Sequence, residues 1–371
     1  MYLFILGRQP ELSLAELGAV FGDVETVSPQ VAVVRTEQTP DIDRLGGVRK
    51  VGRVISSQPK DVNRFLLDYF QDKPAGKLTI GISQYGKGAT ADGGRKIGIY
   101  LKKQLGRSVR VLPNSGAEIS DAAALGNKLG STPNKVEILI VYTKNGPLIA
   151  ELTGVQNLNF YTLRDRGRPK RDARNGMLPP KLAQIMINLA SAGNSGRDTW
   201  LFDPFCGTGV VLQEAILMGM NAVGSDINAK MIDFSGQNLT WAAEKFHLNQ
   251  QFKLSTADAT TQKWTQKPNL VVSETYLGQP YASSPPLEKL NENITTCNLI
   301  IEKFLRNLHD QINLETSICI AVPAWYTSGK NWHLPMLKDI EKLGYKRLNK
   351  NLIYHRDEQI VGREILVLQK V

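Results

Sequence analysis

The sequence predicts an α/β protein in which an α+β region is followed by a doubly wound parallel sheet. Short apolar runs alternate with helix-like stretches along the 371 residues, and this alternation is typical of strands and helices that share a core. From Met177 onward the order becomes helix, strand, glycine turn, helix and strand, which favours a parallel sheet with helices on both faces. The chain is too long for one compact core, so we expect two or three domains.

The first section, residues 1–70, is predicted to form a small ferredoxin-like domain. Its one helical stretch is Ser13–Phe21, in which Ser13 and Glu16 have the spacing of a capping box at a helix start. The predicted strands are Tyr2–Leu6, Val31–Arg35 and Val51–Ser56. A mixed βα arrangement of this size is typical of such a domain.

The second section, residues 75–155, combines predicted strands with a basic helix near Arg95–Leu105. The strands are Leu78–Gln84, Val109–Leu112, Val136–Thr143 and Leu148–Leu152. The helix carries Arg95, Lys96, Lys102 and Lys103 about a turn or two apart, so it offers a charged side to phosphates. A helix face that is simply solvated explains the same pattern equally well.

The charge of the chain is unevenly distributed. Residues 1–175 hold 26 Lys and Arg against 17 Asp and Glu, whereas residues 176–371 hold 19 against 18. A basic half joined to a near-neutral half indicates that one part binds a polyanion while the other does something else. A basic surface that serves solubility is the alternative.

Residues 156–175 are predicted to be a basic linker between two folded parts. Six cationic side chains fall within the eleven residues Arg164–Arg174, together with a Gly and a Pro that oppose a helix. We expect Arg164, Arg168 and Arg171 to contact the phosphates of a bound nucleic acid. A solvated linker without such contacts is the alternative.

The composition excludes several classes of protein. No apolar run is long enough for a membrane span, and the N-terminus lacks the features of a secretory signal, so we expect a cytoplasmic protein. The three cysteines are widely spaced and the four histidines are scattered. These spacings predict neither a disulfide framework nor a metal site.

The chemistry is predicted to centre on the segment Thr199–Gly219. A strand ends at Asp203, and Pro204, Phe205 and a tight turn with Gly207 and Gly209 follow before an amphipathic helix. Glycines let the backbone approach a ligand at the carboxyl end of a strand, where doubly wound folds bind cofactors. The dinucleotide fingerprint requires a third glycine at position 212, where Leu212 stands.

Two later strands also end on acidic residues. Asp226 is placed to accept hydrogen bonds from both ribose hydroxyls of an adenosyl group, and Asp258 to accept one from the adenine amino group. Ile227 and Ala259, the residues that follow them, complete this part of the predicted site. Each carboxylate alone could be a helix cap, but three at successive strand ends beside a glycine turn indicate a site for S-adenosylmethionine.

A further set of runs has a recognisable pattern: Arg164-Asp165, Arg168-Pro169, Arg171-Asp172, Gly176–Ala190, Asp203–Gly209 and Tyr354–Ile365. In these runs the chain resembles the THUMP-domain tRNA guanosine-N2 methyltransferases that modify guanosine 10. The resemblance implies a THUMP RNA-binding domain over residues 75–155 and a Rossmann-like class I methyltransferase domain over residues 176–371. It also implies tRNA as the partner, and Met177 and Leu178 near the methionine end of the cofactor.

The catalytic loop departs from the family's pattern. The family has Asp-Pro-Pro-Tyr or a close relative at the end of the fourth strand, where this chain has Glu274-Thr275-Tyr276-Leu277. The exocyclic amine of guanine is a weak nucleophile, so it needs hydrogen-bond acceptors and a ring to stack on. We expect Glu274 and the Thr275 carbonyl to accept hydrogen bonds and Tyr276 to stack.

The sequence therefore predicts methylation of guanosine N2 in tRNA, with two alternatives left open. One is a tRNA-binding protein whose loop has lost catalysis. The other is an adenine-N6 DNA methyltransferase, because the same loop chemistry serves any exocyclic amine.

Overall fold

The computed structural model describes residues 1–172, 177–193, 196, 198–281, 283–327 and 329–371. Contacts divide them into two compact units, Met1–Tyr161 and Thr162–Val371. Residues 173–175 of the predicted linker and the predicted domain start at residue 176 lie outside the described residues. Within the described ranges, no helix is both long and apolar enough to cross a membrane.

The first unit is one mixed sheet with helices packed on it. Its strands are β1 Tyr2–Leu6, β2 Val24–Ser28, β3 Val31–Val34, β4 Val48–Ser57, β5 Leu78–Gly86, β6 Val109–Val111, β7 Lys135–Thr143 and β8 Gly146–Val155. Its helices are α1 Pro10–Phe21, α2 Val62–Gln71, α3 Gly93–Gln104 and α4 Asp121–Gly126, with a short 3₁₀ turn at Ile42–Arg44.

The sheet of the first unit runs continuously through both predicted N-terminal domains. Its strand order is β2-β3-β1-β4-β8-β7-β5-β6. β4 pairs antiparallel with β8, from Lys50 opposite Val155 to Ser57 opposite Leu148. The predicted division between residues 70 and 75 therefore falls inside one compact unit. The ferredoxin-like and THUMP assignments stay predictions.

The predicted capping box at Ser13 and Glu16 is wrong. The helix begins three residues earlier, at Pro10, and both side chains are buried within it. Ser13 Oγ donates to the Gly47 carbonyl at 2.6 Å. The Glu16 carboxylate accepts from the backbone N–H groups of Gly46 and Gly47 at 2.8 and 2.7 Å. These two residues therefore fix the loop before β4 instead of capping their own helix.

The second unit has the alternating order expected of a doubly wound fold. Its strands are β9 Trp200–Asp203, β10 Asn221–Asp226, β11 Phe252–Thr256, β12 Leu270–Glu274, β13 Ser317–Thr327, β14 Lys330–Trp332, β15 Tyr345–Arg347, β16 Leu352–Tyr354 and β17 Val361–Lys370. Its helices are α5 Leu158–Arg166, which begins just before the unit boundary, α6 Pro180–Ser191, α7 Val210–Leu217, α8 Ala229–Phe246 and α9 Leu287–His309, with a 3₁₀ segment at Pro335–Leu343.

The sheet of the second unit has the strand order β11-β10-β9-β12-β13-β17-β15. The first five of these strands pair in parallel, whereas β17 is antiparallel to β13 and β15. The order reverses between β9 and β12, which are neighbours although β10 and β11 intervene in sequence. Ligands of open α/β sheets bind outside the carboxyl ends of the strands at such a switch point.

The predicted linker over residues 156–175 contains a helix, and the extended basic arm predicted over Arg164–Arg174 begins inside it. Leu158–Arg166 forms α5, and Arg164 on this helix makes a buried ion pair with Glu214 of α7 at 2.6 Å. A run of charged residues forms a solvated segment only if none of its charges finds a buried partner of opposite sign. Here an acidic partner in the core brings the segment onto the second unit.

Candidate functional site

The glycine turn joins β9 to α7 at the carboxyl edge of the parallel sheet. Gly207 and Gly209 have φ angles of 50° and 81°, in the left-handed region that glycine adopts without strain. An added Cβ at Gly209 would lie 2.4 Å from Ser235 Oγ of α8, so this glycine lets the helix pack closely. A Cβ at Gly207 would meet no described atom within 4 Å. Space therefore lies beside the backbone of Gly207.

Asp226 stands at the end of β10 and is half-buried. Its Oδ2 accepts a hydrogen bond from the Gly207 backbone N–H at 3.0 Å, and its Oδ1 accepts one from Asn228 at 2.9 Å. Each oxygen has a second lone pair, so the carboxylate can also accept from a pair of hydroxyls. Ile227, the next residue, is 72% exposed and offers apolar surface beside that carboxylate. This arrangement fits the ribose and base of an adenosyl group.

Asp258 and Ala259 follow β11, on the other side of β10 from the glycine turn. Asp258 Oδ1 accepts from both the backbone N–H and the hydroxyl of Thr260, each at 2.8 Å. Ala259 is buried, and its carbonyl accepts from Asn307 at 3.0 Å. Asp258 thus caps a turn, and its half-exposed carboxylate lies at the same sheet edge as Asp226.

Asp203 ends β9 in a buried position, with 2% of its surface exposed. Its Oδ1 accepts from Ser273 Oγ at 2.6 Å and from the Phe205 N–H at 3.2 Å. Burial raises the pKa of Asp203 to about 7, and the charges of Asp226 and Glu274 add to this rise. Pro204 is buried, while Phe205 is half-buried and packs edge-on against Phe304 at 5.1 Å. Asp203 therefore changes charge near neutral pH.

Glu274 ends β12 beside the switch point and forms an ion pair with Arg363 of β17. The Nε of Arg363 donates to Glu274 Oε1, and no described residue donates to Oε2. The Glu274 side chain is 19% exposed and that of Arg363 is 7% exposed. Burial raises the pKa of Glu274, while the charge and hydrogen bond of Arg363 act in the opposite direction.

Arg363 is a residue that the sequence did not assign to the site. Glu274 lies opposite Ala321 on β13, and Arg363 lies opposite Pro323 on the same strand. The pair thus forms across β13, which lies between β12 and β17 in the sheet. The spacing of residues 274 and 363 in the sequence does not reveal this strand order. The sequence signal that could have identified Arg363 is its position in the run Tyr354–Ile365, which carries part of the family resemblance.

Thr275 and Tyr276 continue the chain from Glu274. Thr275 is buried, and both its N–H and its hydroxyl donate to the Ala321 carbonyl at 2.9 Å. This double contact holds the start of the loop against β13. Tyr276 is half-buried, and Gln279 donates to its hydroxyl at 3.4 Å. The side chain also packs against the apolar core of the second unit.

Arg164 and Arg168 do not belong to an exposed phosphate-binding arm, which corrects the prediction for both. Arg164 is 1% exposed in its pair with Glu214, and Arg168 is 4% exposed. Arg168 donates to the Sδ of Met177 at 2.9 Å. Met177 is half-buried and Leu178 is buried ahead of α6. Of the three arginines, Arg171 is exposed as predicted.

The four basic residues predicted on the helix of the first unit all lie on α3 and are exposed. They are Arg95, Lys96, Lys102 and Lys103. Lys96 pairs with Asp92 one turn earlier at 2.6 Å. The buried side of the helix includes Gly94, Gly98 and Leu101, so the charges point away from the core. This face remains available to a polyanion.

The fold and a family match together define the class of the second unit. Residues 168–297 match a family model described as an RMKL-like methyltransferase domain. The crystal structure of TrmN from Thermus thermophilus superposes with a TM-score of 0.54, covering 100% of this chain and 99% of that one. The two sequences are 15% identical, so this likeness concerns the fold alone. The second unit contains a Rossmann-like methyltransferase domain.

The chain is also similar to curated proteins named tRNA (guanine(10)-N2)-dimethyltransferase. The relative from Methanothermobacter thermautotrophicus is 30% identical over 148 residues, which cover 40% of this chain and 39% of that protein. The relative from Methanocaldococcus jannaschii is 24% identical over 203 residues, covering 53% and 52%. The relative from Pyrococcus abyssi is 26% identical over 195 residues, covering 52% and 50%. The matches thus span about half of these relatives, or less.

Proposed function

We propose that this protein is a methyltransferase that uses S-adenosylmethionine to methylate N2 of guanosine in tRNA, at position 10. One observation carries the proposal. Asp226 with exposed Ile227 and Glu274 with half-buried Tyr276 stand at the same sheet edge, on either side of β9. A site for an adenosyl group and a site for an amine-bearing base are thereby adjacent. The names of the curated relatives supply the substrate.

The residues of the second unit fit the cofactor. S-adenosylmethionine, when bound, supplies an electrophilic methyl group on a sulfonium. In the proposed site Asp226 holds the ribose, Ile227 packs on the adenine and Asp258 accepts from its amino group. Asp203 offers a carboxylate to the positive charge of the amino-acid end.

The loop after β12 can orient the amine of guanine. In the proposed arrangement Glu274 Oε2 accepts one hydrogen of the amine while Arg363 holds Oε1. The Thr275 carbonyl accepts the other hydrogen, and the Tyr276 ring stacks on the base. These contacts would fix the nitrogen lone pair in line with the methyl group, and such positioning accounts for much of the rate gain in bimolecular reactions.

The first unit is proposed to bind the tRNA. Residues 1–70 would supply the ferredoxin-like part and residues 75–155 the THUMP part. The exposed cations of α3 support this division of labour, because phosphate contacts dominate the affinity of proteins for nucleic acids. A tRNA substrate also implies a cytoplasmic location.

A second candidate is a tRNA-binding protein without catalysis. The observation that favours it is the ion pair itself, because Arg363 competes with a substrate amine for the Glu274 carboxylate. A measurement on tRNA separates the two candidates. Purified protein, tRNA and methyl-labelled S-adenosylmethionine should yield labelled N2-methylguanosine or N2,N2-dimethylguanosine in nucleosides analysed by mass spectrometry. Binding of both ligands without any labelled nucleoside would favour the second candidate.

A further inference from the structure

The guanidinium of Arg168 is buried without adequate partners. Only 4% of the residue is exposed. Its Nη2 donates to the thioether sulfur of Met177 at 2.9 Å, and sulfur is a weak acceptor. Its Nε and Nη1 have no hydrogen-bond partner in the part of the chain that the structure describes. Burying a charge whose two donor nitrogens lack acceptors costs free energy, unless a ligand supplies the acceptors.

The backbone around Arg168 is anchored against the glycine turn. On one side, the Arg164 carbonyl accepts from Gln213 of α7 at 3.2 Å. On the other side, Lys170 exchanges two hydrogen bonds with the Asn238 side chain of α8, at 2.9 and 3.0 Å. Asn238 also donates to the Thr208 carbonyl, inside the glycine turn, at 2.9 Å. Arg168 therefore lies between two attachments to the elements that follow β9 and β10.

The nearby acidic groups do not satisfy Arg168. Burial lowers the pKa of Arg168 to about 10. The charge of Asp165 acts to raise this pKa, the charge of Arg171 lowers it further, and the charge of Glu214 acts to raise it. Glu214 is held by Arg164 at 2.6 Å. The guanidinium therefore stays charged at neutral pH, and its geometry suits a planar anion that can accept two parallel hydrogen bonds, such as a carboxylate.

We propose that Arg168 binds the carboxylate of the amino-acid part of S-adenosylmethionine. The inference rests on the proposed cofactor and adds a role that the RNA-binding prediction for this residue did not contain. The adenosyl part is assigned to the ends of β10 and β11 and the methyl acceptor to the end of β12. In this arrangement the sulfur lies between them, over β9, and the amino-acid end reaches the turn before α7. Lys170, two residues after Arg168, is tied to the Thr208 carbonyl of that turn through Asn238.

Two ligands that differ in this part of the cofactor test the proposal. S-adenosylhomocysteine carries the amino-acid carboxylate, whereas 5′-methylthioadenosine has the same adenosyl group without it. Arg168→Met should weaken S-adenosylhomocysteine about 10- to 150-fold in calorimetry, the range for losing charge-assisted hydrogen bonds. The affinity for 5′-methylthioadenosine should change less than about twofold. Arg171→Met, at the exposed neighbouring arginine, should change neither affinity.

The stability of the ligand-free protein separates ligand binding from a structural role. Arg168→Met removes a poorly paired buried charge and should leave the melting temperature unchanged or raise it, because such replacements are often neutral or stabilising. A lower melting temperature together with equal losses for both ligands would mean that Arg168 only supports the fold and would overturn the proposal. Arg168→Lys, which keeps the charge without the planar fork, should give an intermediate affinity.

Other outcomes distinguish this inference from the proposed function. Unchanged binding of S-adenosylhomocysteine to Arg168→Met would overturn the role of Arg168 and leave the cofactor in place. Failure of the unaltered protein to bind either ligand would overturn both. If Arg168→Met does not fold, the comparison of the two ligands with Arg168→Lys decides in the same way.

Discussion

At the residue scale, Asp226 is the side chain on which binding of the adenosyl group is expected to depend. Asp226→Ala should weaken S-adenosylmethionine by about 1.5–3 kcal/mol, because it removes charge-assisted hydrogen bonds to the ribose. Calorimetry on the folded protein measures this. Asp233→Ala is the matched control, since Asp233 is an exposed carboxylate on α8 that accepts a hydrogen bond from Gln237 of the same helix. Equal affinity in all three proteins would remove Asp226 from the site.

Asp203 predicts a dependence of cofactor affinity on pH. Its pKa of about 7 means that the group is mostly neutral at pH 6 and mostly ionised at pH 8. An ionised carboxylate favours the positively charged sulfonium and amino group, so affinity should rise as pH rises from about 6 to 7.5. Asp203→Asn should bind the cofactor more weakly than wild type at pH 7.5, and its affinity should change less with pH. The same slope in Asp203→Asn would assign the pH dependence to another group.

Glu274 and Arg363 should act as a unit in methyl transfer. We expect rates in the order wild type, Glu274→Gln, Glu274→Ala, because Gln keeps one carbonyl acceptor and Ala keeps none. Cofactor affinity should stay about equal, since the loss lies in orienting the nucleophile. Arg363→Met should lower the rate of methyl transfer when Glu274 is present, but should have little further effect in Glu274→Ala, as expected for a positioning residue. Rates and cofactor affinities of the two single variants and the double variant check this.

The altered loop allows a test in the opposite direction. Glu274→Asp with Thr275→Pro restores the residues that the resembling family carries at these positions. A restored loop that methylates tRNA while wild type only binds it would establish the candidate without catalysis. Slower methyl transfer by this double variant than by wild type would mean that the Glu274–Arg363 pair orients the substrate better in this chain than the family's residues do.

Residues at strand ends could be predicted from the sequence, whereas residues that meet across strands could not. Asp203 and Asp226 end β9 and β10 as predicted, whereas β11 ends at Thr256, two residues before Asp258. The carboxyl ends of parallel strands share one edge. The Glu274–Arg363 contact depends on β13 lying between β12 and β17. The burial of Arg164 and Arg168 depends on Glu214 and Met177, which no local pattern connects to a basic run.

At the scale of elements, α3 is the part of the first unit that is expected to touch RNA. Changing both Lys102 and Lys103 to Ala should weaken tRNA binding and flatten the slope of log affinity against log salt by about 0.7–0.9 for each lost contact. A double change of two exposed lysines on α9, Lys289 and Lys303, is the control. Equal slopes for the α3 variant and the control would mean that α3 is simply solvated.

The positions of most strands followed from local patterns, but two element boundaries did not. The capping-box spacing of Ser13 and Glu16 was misleading because their partners, Gly46 and Gly47, are more than 30 residues away. The Gly and Pro of the basic run predicted an extended segment. The helix ends at Arg166, before both of them, so they mark its end and not the absence of a helix.

At the scale of the whole molecule, the sheet order decides what can meet at the site. The alternation after residue 177 predicted a parallel sheet, and the order β11-β10-β9-β12-β13 confirms it. Helix and strand signals do not state which strands are neighbours, so the antiparallel entry of β17 beside β13 could not be predicted from pattern. In the first unit, pairing of β4 with β8 over about 100 residues likewise joins segments that composition had separated.

In the proposed reaction the exocyclic amine of a guanosine in tRNA accepts the methyl group. Inosine differs from guanosine in lacking that amine, so a tRNA with inosine at position 10 removes the proposed nucleophile and leaves the rest of the base in place. With methyl-labelled S-adenosylmethionine, we expect label in the guanosine-10 tRNA and none in its inosine-10 counterpart, with comparable binding of both. Equal label in the two tRNAs would mean that the amine of guanosine 10 is not the methyl acceptor.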